Sequence, residues 1–195
     1  MRPFLKTLGI SLSIALPCCG VFFLIADSLG LLAFSGQAFF SGELWRLLTF
    51  PLAHVNLSHL IENMAALAIT TLLVLEFELN NRLYLESFFL SGILIALGFG
   101  LAVPILPIAG ASLGIYSVLG SLSIGGSNFI PRYILIPLLG LSIFAMQGLG
   151  LATQQGISTQ GINSSLFHLA GFIMGIGLFY LLPRLRPKKA VLKRL

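Results

Sequence analysis

Long apolar runs, separated by short groups of Gly, Pro, Asn or charged residues, dominate the chain. A run of about 20 apolar residues can cross a hydrocarbon core of about 30 Å as a helix. The pattern predicts an all-α, polytopic membrane protein that forms a single domain over residues 1–195. It predicts six transmembrane spans, which are Leu8–Phe34, Leu57–Phe77, Leu83–Leu106, Ala111–Gly126, Pro131–Leu151 and Ser165–Leu182.

The fourth predicted span is too short to cross a bilayer comfortably. Its sixteen residues, Ala111–Gly126, rise about 24 Å as a helix. The preceding segment, 104–110, contains two prolines and is expected to be irregular. Irregular backbone at membrane depth is tolerated where it is buried in protein or lines a water-filled cavity. Ser112, at the start of this span, is therefore expected to lie below the membrane surface.

Composition and charge favour lipid as the main partner of the surface. Hydrophobic residues make up 57% of the chain and charged residues only 9%, which excludes a soluble globule of 195 residues. The net charge of +5 does not indicate a nucleic-acid partner, because every Lys and Arg except Arg46 falls on one face of a six-span topology. The positive-inside rule then predicts cytoplasmic termini, with a short basic tail at about 184–195 that attracts anionic lipid.

The segment between the first and second predicted spans combines Trp45 and Arg46 with apolar neighbours. Tryptophan is enriched where a membrane meets water, so this segment is expected to form an interfacial loop. Its role is either that of an ordinary interfacial belt or one related to substrate. The two cysteines, Cys18 and Cys19, are adjacent, so they cannot join distant segments and do not have zinc-ligand spacing.

Polar residues from three spans share one depth in the predicted topology. His54, His59 and Asn63 stand at the start of the second span, Ser112 at the start of the fourth and His168 at the start of the sixth. Polar side chains at membrane depth are costly and mark candidate functional sites. A neutral imidazole can take the proton of a serine hydroxyl, so Ser112 and His168 are a candidate nucleophile and base. No Asp or Glu accompanies them, which predicts a dyad.

A purely structural interpretation of these residues remains open. Gly110 and Ser112 can serve as small residues for close helix packing, and a lone His168 can bond between helices. Gly171, three residues after His168, allows its helix to approach a neighbour closely. Tyr116, one turn after Ser112, is then expected to pack beneath the imidazole.

The second span offers hydrogen-bond donors for a developing oxyanion. His59 and Asn63 are separated by four residues and share a helical face. Together with the Ser112 backbone N–H they can converge on a carbonyl oxygen. A metal site is the rival interpretation, but His54 and His59 do not share a helical face and no thiol or carboxylate completes a ligand set. We therefore expect neither a metal nor another cofactor.

These residues resemble the rhomboid family of intramembrane serine proteases. The resemblance implies Ser112 as nucleophile and His168 as base. It implies an oxyanion hole of His59, Asn63 and the Ser112 amide. The motifs that carry the resemblance are Trp45-Arg46, His54 to Asn63, Gly110-Ala111-Ser112 with Tyr116 and Gly120, and His168-Leu169-Ala170-Gly171.

The resemblance further implies that His54 supports the site by hydrogen bonding. The small size of the chain is also similar to that of the rhombosortase branch, which trims Gly-Gly-containing C-terminal anchors of bacterial surface proteins.

Four features depart from the family pattern. Leu113 stands where glycine usually follows the nucleophile, and Phe167 stands where a small residue usually precedes the base. Glu62, beside Asn63, is unusual, because a carboxylate three residues from His59 can pair with it or face a polar cavity. The segment 76–82 lacks the usual glycine turn after the second span.

The sequence thus predicts a serine endopeptidase that cleaves transmembrane or juxtamembrane segments of client proteins. We expect a multi-pass protein of the plasma membrane, the inner membrane in a bacterium, with its site open to the outer or periplasmic side. The alternative is a catalytically inactive rhomboid-like chaperone or adaptor. A small transporter would need charged groups through both leaflets, and the inner halves of the spans offer almost none.

Overall fold

The computed structural model describes residues 2–144 and 159–182. Within these ranges the secondary structure is helical and contains no strand, as the apolar pattern predicts. Short 3₁₀ turns follow three of the helices, at Phe50–Leu52, Gly126–Asn128 and Ser142–Phe144. The helices are α1 Arg2–Leu24, α2 Ser28–Leu32, α3 Gly36–Phe40, α4 Arg46–Thr49, α5 Leu57–Glu76, α6 Asn81–Ala102, α7 Ser112–Gly125, α8 Arg132–Leu141 and α9 Thr159–Leu181.

Four of the described helices are long and apolar enough to cross a membrane. The crossing segments are Phe4–Leu24 of α1, Leu57–Glu76, Asn81–Ala102 and Asn163–Leu181 of α9. Helix α8 and its 3₁₀ turn form a shorter apolar segment, and α7 is shorter than a span. Six crossings and cytoplasmic termini therefore stay predictions. The part of the fifth predicted span after Phe144, and the basic tail, lie outside the described residues.

The first predicted span is wrong at its C-terminal end. Helix α1 ends at Leu24 rather than at Phe34. The Asp27 side chain accepts a hydrogen bond from the Gly30 N–H at 2.9 Å, and this cap starts α2 instead. An acidic side chain at an N-cap satisfies a backbone donor that a continuous helix would have used, so the chain turns here.

The third predicted span also ends earlier, at Ala102 rather than Leu106. Val103 is non-helical, with φ −135° and ψ 78°. A proline disfavours helical backbone in the residue before it, and Pro104 follows Val103 directly.

Helix α7 lies at the centre of the described bundle. Ser112 and Tyr116 are its half-buried residues, and the others are buried. Helices α5, α6, α8 and α9 pack around it. Gly175 of α9 lies so close to α7 that a Cβ there would overlap the Ser117 carbonyl oxygen, and a Cβ on Gly120 would overlap the Phe172 carbonyl oxygen. A helix enclosed by protein in this way is shielded from lipid along most of its length.

Buried hydroxyl groups tie α1 to the bundle. Ser11 Oγ lies 2.7 Å from Thr71 Oγ1 on α5 and 3.0 Å from the Tyr84 hydroxyl on α6. Hydrogen bonds between polar side chains are one of the forces that hold helices together in a membrane. These bonds fix the first helix to two others at a distance from the predicted site.

The chain between α1 and α5, residues 25–56, contains the loop that is predicted to be interfacial, and we call it the interfacial segment. It binds to the segment that precedes α7. Phe34 and Ile108 exchange backbone hydrogen bonds of 2.9 and 2.7 Å in an isolated antiparallel bridge. The Gly110 N–H donates to the Phe50 carbonyl at 2.9 Å. These bonds satisfy irregular backbone that lipid could not.

The turn after α5 contains Glu78 in a left-handed conformation, with φ +49°. The Leu79 N–H donates to the Val74 carbonyl and the Glu78 N–H to the Leu75 carbonyl, which is the Schellman pattern. We expect Glu78→Gly to stabilise the protein by about 0.5–1 kcal/mol, because glycine adopts this conformation without the Cβ penalty. Thermal unfolding in detergent measures the effect.

The matched control for Glu78→Gly is Glu76→Gly, at the last helical residue of α5. There glycine should destabilise by about 0.5–1 kcal/mol, since it loses more conformational freedom on folding. A lower unfolding temperature for Glu78→Gly than for wild type would contradict the explanation.

Candidate active site

Ser112 is the first residue of α7, within one residue of the predicted start. It is half-buried. Ala111 precedes it as the N-cap and has no side chain that can cap the helix. The first backbone N–H groups of a helix lack intrahelical partners and attract negative charge. The Ser112 hydroxyl thus stands at a helix end whose amides favour an anion.

Gly110 allows an imidazole to lie against the backbone beside Ser112. Its φ is +102°, a conformation that glycine adopts readily. A Cβ at this position would lie 2.6 Å from His59 Cε1 and 2.9 Å from His59 Nε2. Any side chain at residue 110 would therefore displace the ring. The structure brings His59 to the backbone two residues before Ser112.

The hydrogen bonds of His59 define which ring nitrogen carries the proton. The Val55 N–H donates to His59 Nδ1 at 3.4 Å. A nitrogen that accepts a bond cannot carry the proton in the neutral ring, so the proton is on Nε2. Nε2 is also the nitrogen that faces Gly110. The ring therefore presents an N–H donor toward the start of α7.

Asn63 lies one turn after His59 and is buried, with 4% of its surface exposed. Its Nδ2 donates to the His59 carbonyl at 2.7 Å. The amide nitrogen carries two hydrogens, so one donor remains for another acceptor. Asn63 Oδ1 is buried without a partner among the described residues.

His168 lies on α9 and stacks on Tyr116 of α7, as the sequence predicts. The ring centroids are 4.2 Å apart and the planes differ by 18°. The Tyr116 hydroxyl donates to the Ser142 carbonyl at 3.1 Å, which fixes the tyrosine ring. A Cβ on Gly171 would lie 2.8 Å from the Leu113 carbonyl oxygen and 3.4 Å from Tyr116 Cβ. The absence of a side chain at Gly171 lets α9 bring the imidazole onto this face of α7.

The described polar partner of His168 is on its own helix. His168 Nε2 lies 3.4 Å from Ser164 Oγ, one turn earlier. Among the described residues there is no hydrogen bond between Ser112 and His168. Catalytic hydrogen bonds are often long or poorly aligned until substrate binds, so this geometry is compatible with catalysis.

His54 lies between α4 and α5, buried with 2% of its surface exposed. Its Nδ1 donates to the Leu52 carbonyl at 3.1 Å, which leaves Nε2 as an acceptor. The His54 and His59 ring centroids are 5.1 Å apart. Burial lowers the pKa of His54 from its ordinary value of 6.5 to about 4, although the Leu52 carbonyl partly opposes this. His54 is therefore neutral near pH 7.

The lowered pKa of His54 predicts that acid destabilises the fold. Between pH 6.5 and about 4 the unfolded chain binds a proton here and the folded chain does not. Stability is full above pH 6.5 and falls by up to about 3 kcal/mol as the pH drops through this window. Unfolding temperatures in detergent at several pH values measure the slope.

The control for this pH dependence is His54→Asn, whose amide can donate to Leu52 but does not titrate. Its slope between pH 6.5 and 4 should be shallower than that of wild type. An unchanged slope would show that other groups cause the acid sensitivity.

Trp45 and Arg46 hold the interfacial segment together. Arg46 pairs with Glu43 at 2.5 Å and donates to the Ala33 carbonyl at 2.9 Å. Trp45 Nε1 donates to the Leu31 carbonyl at 3.3 Å, while about half of the side chain is exposed (52%). An exposed Trp suits an interfacial anchor. The described polar contacts of both side chains lie within this segment.

Two partners within the site were not predicted from the sequence. Ser164 beside His168 had a visible signal, because the two residues are four apart on one helix. The Val55 amide, which orients His59, has no sequence signal. Glu62, which the sequence made a candidate partner of His59, is exposed and accepts a hydrogen bond of 2.8 Å from Ser58.

The fold and the site define a helical integral membrane protein in which a hydroxyl, imidazoles and an amide are held inside the bundle. The family model for the Rhomboid domain matches residues 41–185. The chain belongs to the rhomboid family, whose members are intramembrane serine proteases. The match includes every candidate site residue. A search of curated proteins found no match.

Proposed function

We propose that the protein is an intramembrane serine endopeptidase with Ser112 as nucleophile and His168 as general base. The stack of His168 on Tyr116 at 4.2 Å carries the proposal. Tyr116 is one turn after Ser112, and helical side chains point back toward the N-terminus of their helix. The imidazole that rests on Tyr116 therefore lies on the Ser112 face of α7.

The proposed reaction passes through an acyl-enzyme. Ser112 Oγ attacks the scissile carbonyl carbon while His168 takes its proton. His168 then gives this proton to the leaving amide nitrogen as the carbon–nitrogen bond breaks. A water molecule, deprotonated by the same imidazole, attacks the ester and releases Ser112 and the carboxylic acid product.

Three donors suit the oxyanion of this reaction. They are the backbone N–H of Ser112, the Nε2–H of His59 and the second amide N–H of Asn63. The described contacts that support this assignment are the Val55 bond to His59 Nδ1 and the close approach of the His59 ring to Gly110. Removal of one such donor typically lowers the rate by about 10²–10³. His54 supports the site through its packing against His59.

The proposed substrate is a transmembrane or juxtamembrane segment of a client membrane protein, reached from the lipid. The resemblance to rhombosortases makes a Gly-Gly-containing C-terminal anchor the finer proposal. The charge distribution supports cytoplasmic termini and a site open to the outer side of the plasma membrane, the periplasmic side in a bacterium.

The alternative function is an inactive rhomboid-like chaperone or adaptor. One observation favours it, which is that His168 Nε2 lies against Ser164 rather than Ser112. An adaptor would bind the same membrane segments without cleaving them.

The deciding experiment reconstitutes the protein in liposomes with single-span reporter substrates, with and without Gly-Gly before the anchor. A fluorophosphonate that labels the wild type supports an activated serine, and product appearance measures cleavage. Cleavage with a preference for the Gly-Gly reporter supports the finer proposal. A folded wild type that binds the reporters, takes no label and cleaves none of them would support the adaptor.

A further inference from the structure

A second buried cluster lies apart from the main core of the bundle, between the interfacial segment and three helices. We call it the outer cluster. It joins the interfacial segment and the segment before α7 to helices α6 and α7, and side chains of α9 pack against it. Its buried residues are Phe34, Phe50, Ile95, Ala96, Ile108 and Leu113. Leu113 is its member from α7 and comes directly after Ser112.

Leu113 contacts both parts of the structure that define the site. Its side chain is 2% exposed and packs in the outer cluster with the bridge residues Phe34 and Ile108. Its carbonyl oxygen lies against Gly171 of α9, where a Cβ would come within 2.8 Å. Gly171 is one turn after His168. A shift of Leu113 therefore moves the start of α7 relative to the helix that bears the imidazole.

Phe167 stands in the corresponding place beside the base. It directly precedes His168 and packs against the outer cluster. Its ring packs at a tilt against the ring of Phe99 on α6, with centroids 4.5 Å apart and planes that differ by 57°. The neighbours in sequence of Ser112 and of His168 thus pack in one cluster.

We propose that Leu113 and Phe167 are a coupled pair of positioning residues that set the placement of the Ser112 hydroxyl relative to the His168 ring. This inference rests on the proposed protease function. Each side chain fixes one of the reacting groups through its neighbour in sequence, and the cluster links the two. Interiors are packed densely, so a lost side chain in the cluster lets one of the two helices shift.

The pair also accounts for two departures from the family pattern. A large residue stands at both positions where the family usually has a small one. Since both side chains pack in the outer cluster, the same surrounding residues limit the volume that each can occupy. Replacement of either one loosens the cluster in which the other packs.

The test compares kcat and KM of reconstituted Leu113→Ala, Phe167→Ala and the double variant. We expect each single variant to lower kcat by about 10–100-fold with KM near that of wild type, because a misplacement of about 1 Å costs about 10²-fold. The double variant should lose less than the product of the two single losses, since both substitutions open one shared space. Leu113→Met, which conserves volume, should stay within about threefold of wild type.

Leu122→Ala is the matched control for a general loss of packing. Leu122 is fully buried on α7 within the main core, about 15 Å along the helix from Ser112. It should lower the unfolding temperature and leave kcat unchanged. Leu113→Val and Phe167→Leu remove fewer atoms and replace the alanine variants if those fail to fold.

The outcomes separate the inference from the function on which it rests. If wild type cleaves, Ser112→Ala does not, and the single variants keep a kcat equal to that of Leu122→Ala, the positioning role is wrong and the protease function stands. If the double variant lowers kcat by the product of the two single losses, the two residues are not coupled. A wild type that neither cleaves nor takes a fluorophosphonate overturns the protease function, and the inference falls with it.

Discussion

Ser112→Ala is expected to lower proteolysis by about 10⁴-fold or more while leaving the fold intact. The substitution removes the attacking oxygen, and the residual rate of a serine protease without its nucleophile comes from substrate binding and oxyanion donors alone. His168→Ala should cause a loss of similar size. The double variant should lose little more than either, because the two residues act as one unit. Product formation from a reconstituted single-span substrate measures all three.

Ser123→Ala is the control for the loss of a hydroxyl from α7. Ser123 is fully buried and donates to the Gly120 carbonyl of its own helix at 2.7 Å. This variant should keep wild-type cleavage. Equal cleavage by wild type, Ser112→Ala and His168→Ala would contradict the proposed mechanism.

The sequence was sufficient to predict the central helix and its contact with α9. Gly110, Pro104 and Pro107 break the preceding backbone, so the start of α7 was predicted to within one residue. The spacing of Tyr116 from Ser112 predicted the ring stack on His168. The helix start depends on local backbone chemistry, whereas the stack was inferred from the glycines after His168, which indicate a close approach of its helix to a neighbour. The roles of the site residues stay predictions.

The interfacial segment shows why the remainder could not be predicted. Its helices α2 and α3 have five residues each, which is too short for a periodic signal. The Phe34–Ile108 bridge joins residues far apart in the chain, and the proton position on His59 depends on the Val55 amide. Such tertiary contacts follow from the packed structure and leave no pattern in neighbouring residues.

The short central helix and the predicted depth of the site have one physical basis. Helix α7 begins only after the segment 103–111 has run alongside the interfacial segment, to which Phe34, Gln37 and Phe50 bind it. The backbone of a segment within a membrane must be satisfied by protein. The interfacial segment supplies those partners, so the predicted depth of Ser112 does not expose this backbone unpaired to lipid.

Both stability and cleavage should require the close approach of α9 to α7, and Gly175→Ala tests this requirement. A Cβ at Gly175 would overlap the Ser117 carbonyl oxygen, a backbone atom that cannot move cheaply. We expect a loss of about 3 kcal/mol or more in stability, and a loss of about 10²-fold in cleavage because His168 is displaced with its helix.

Gly177→Ala is the matched control, since no atom lies within 4 Å of its added Cβ. That variant should unfold at or slightly above the wild-type temperature, because alanine favours a helix over glycine by about 1 kcal/mol. Equal unfolding temperatures and cleavage rates for the two variants would mean that the helices do not meet at Gly175, and the placement of His168 on the Ser112 face of α7 would lose its structural basis.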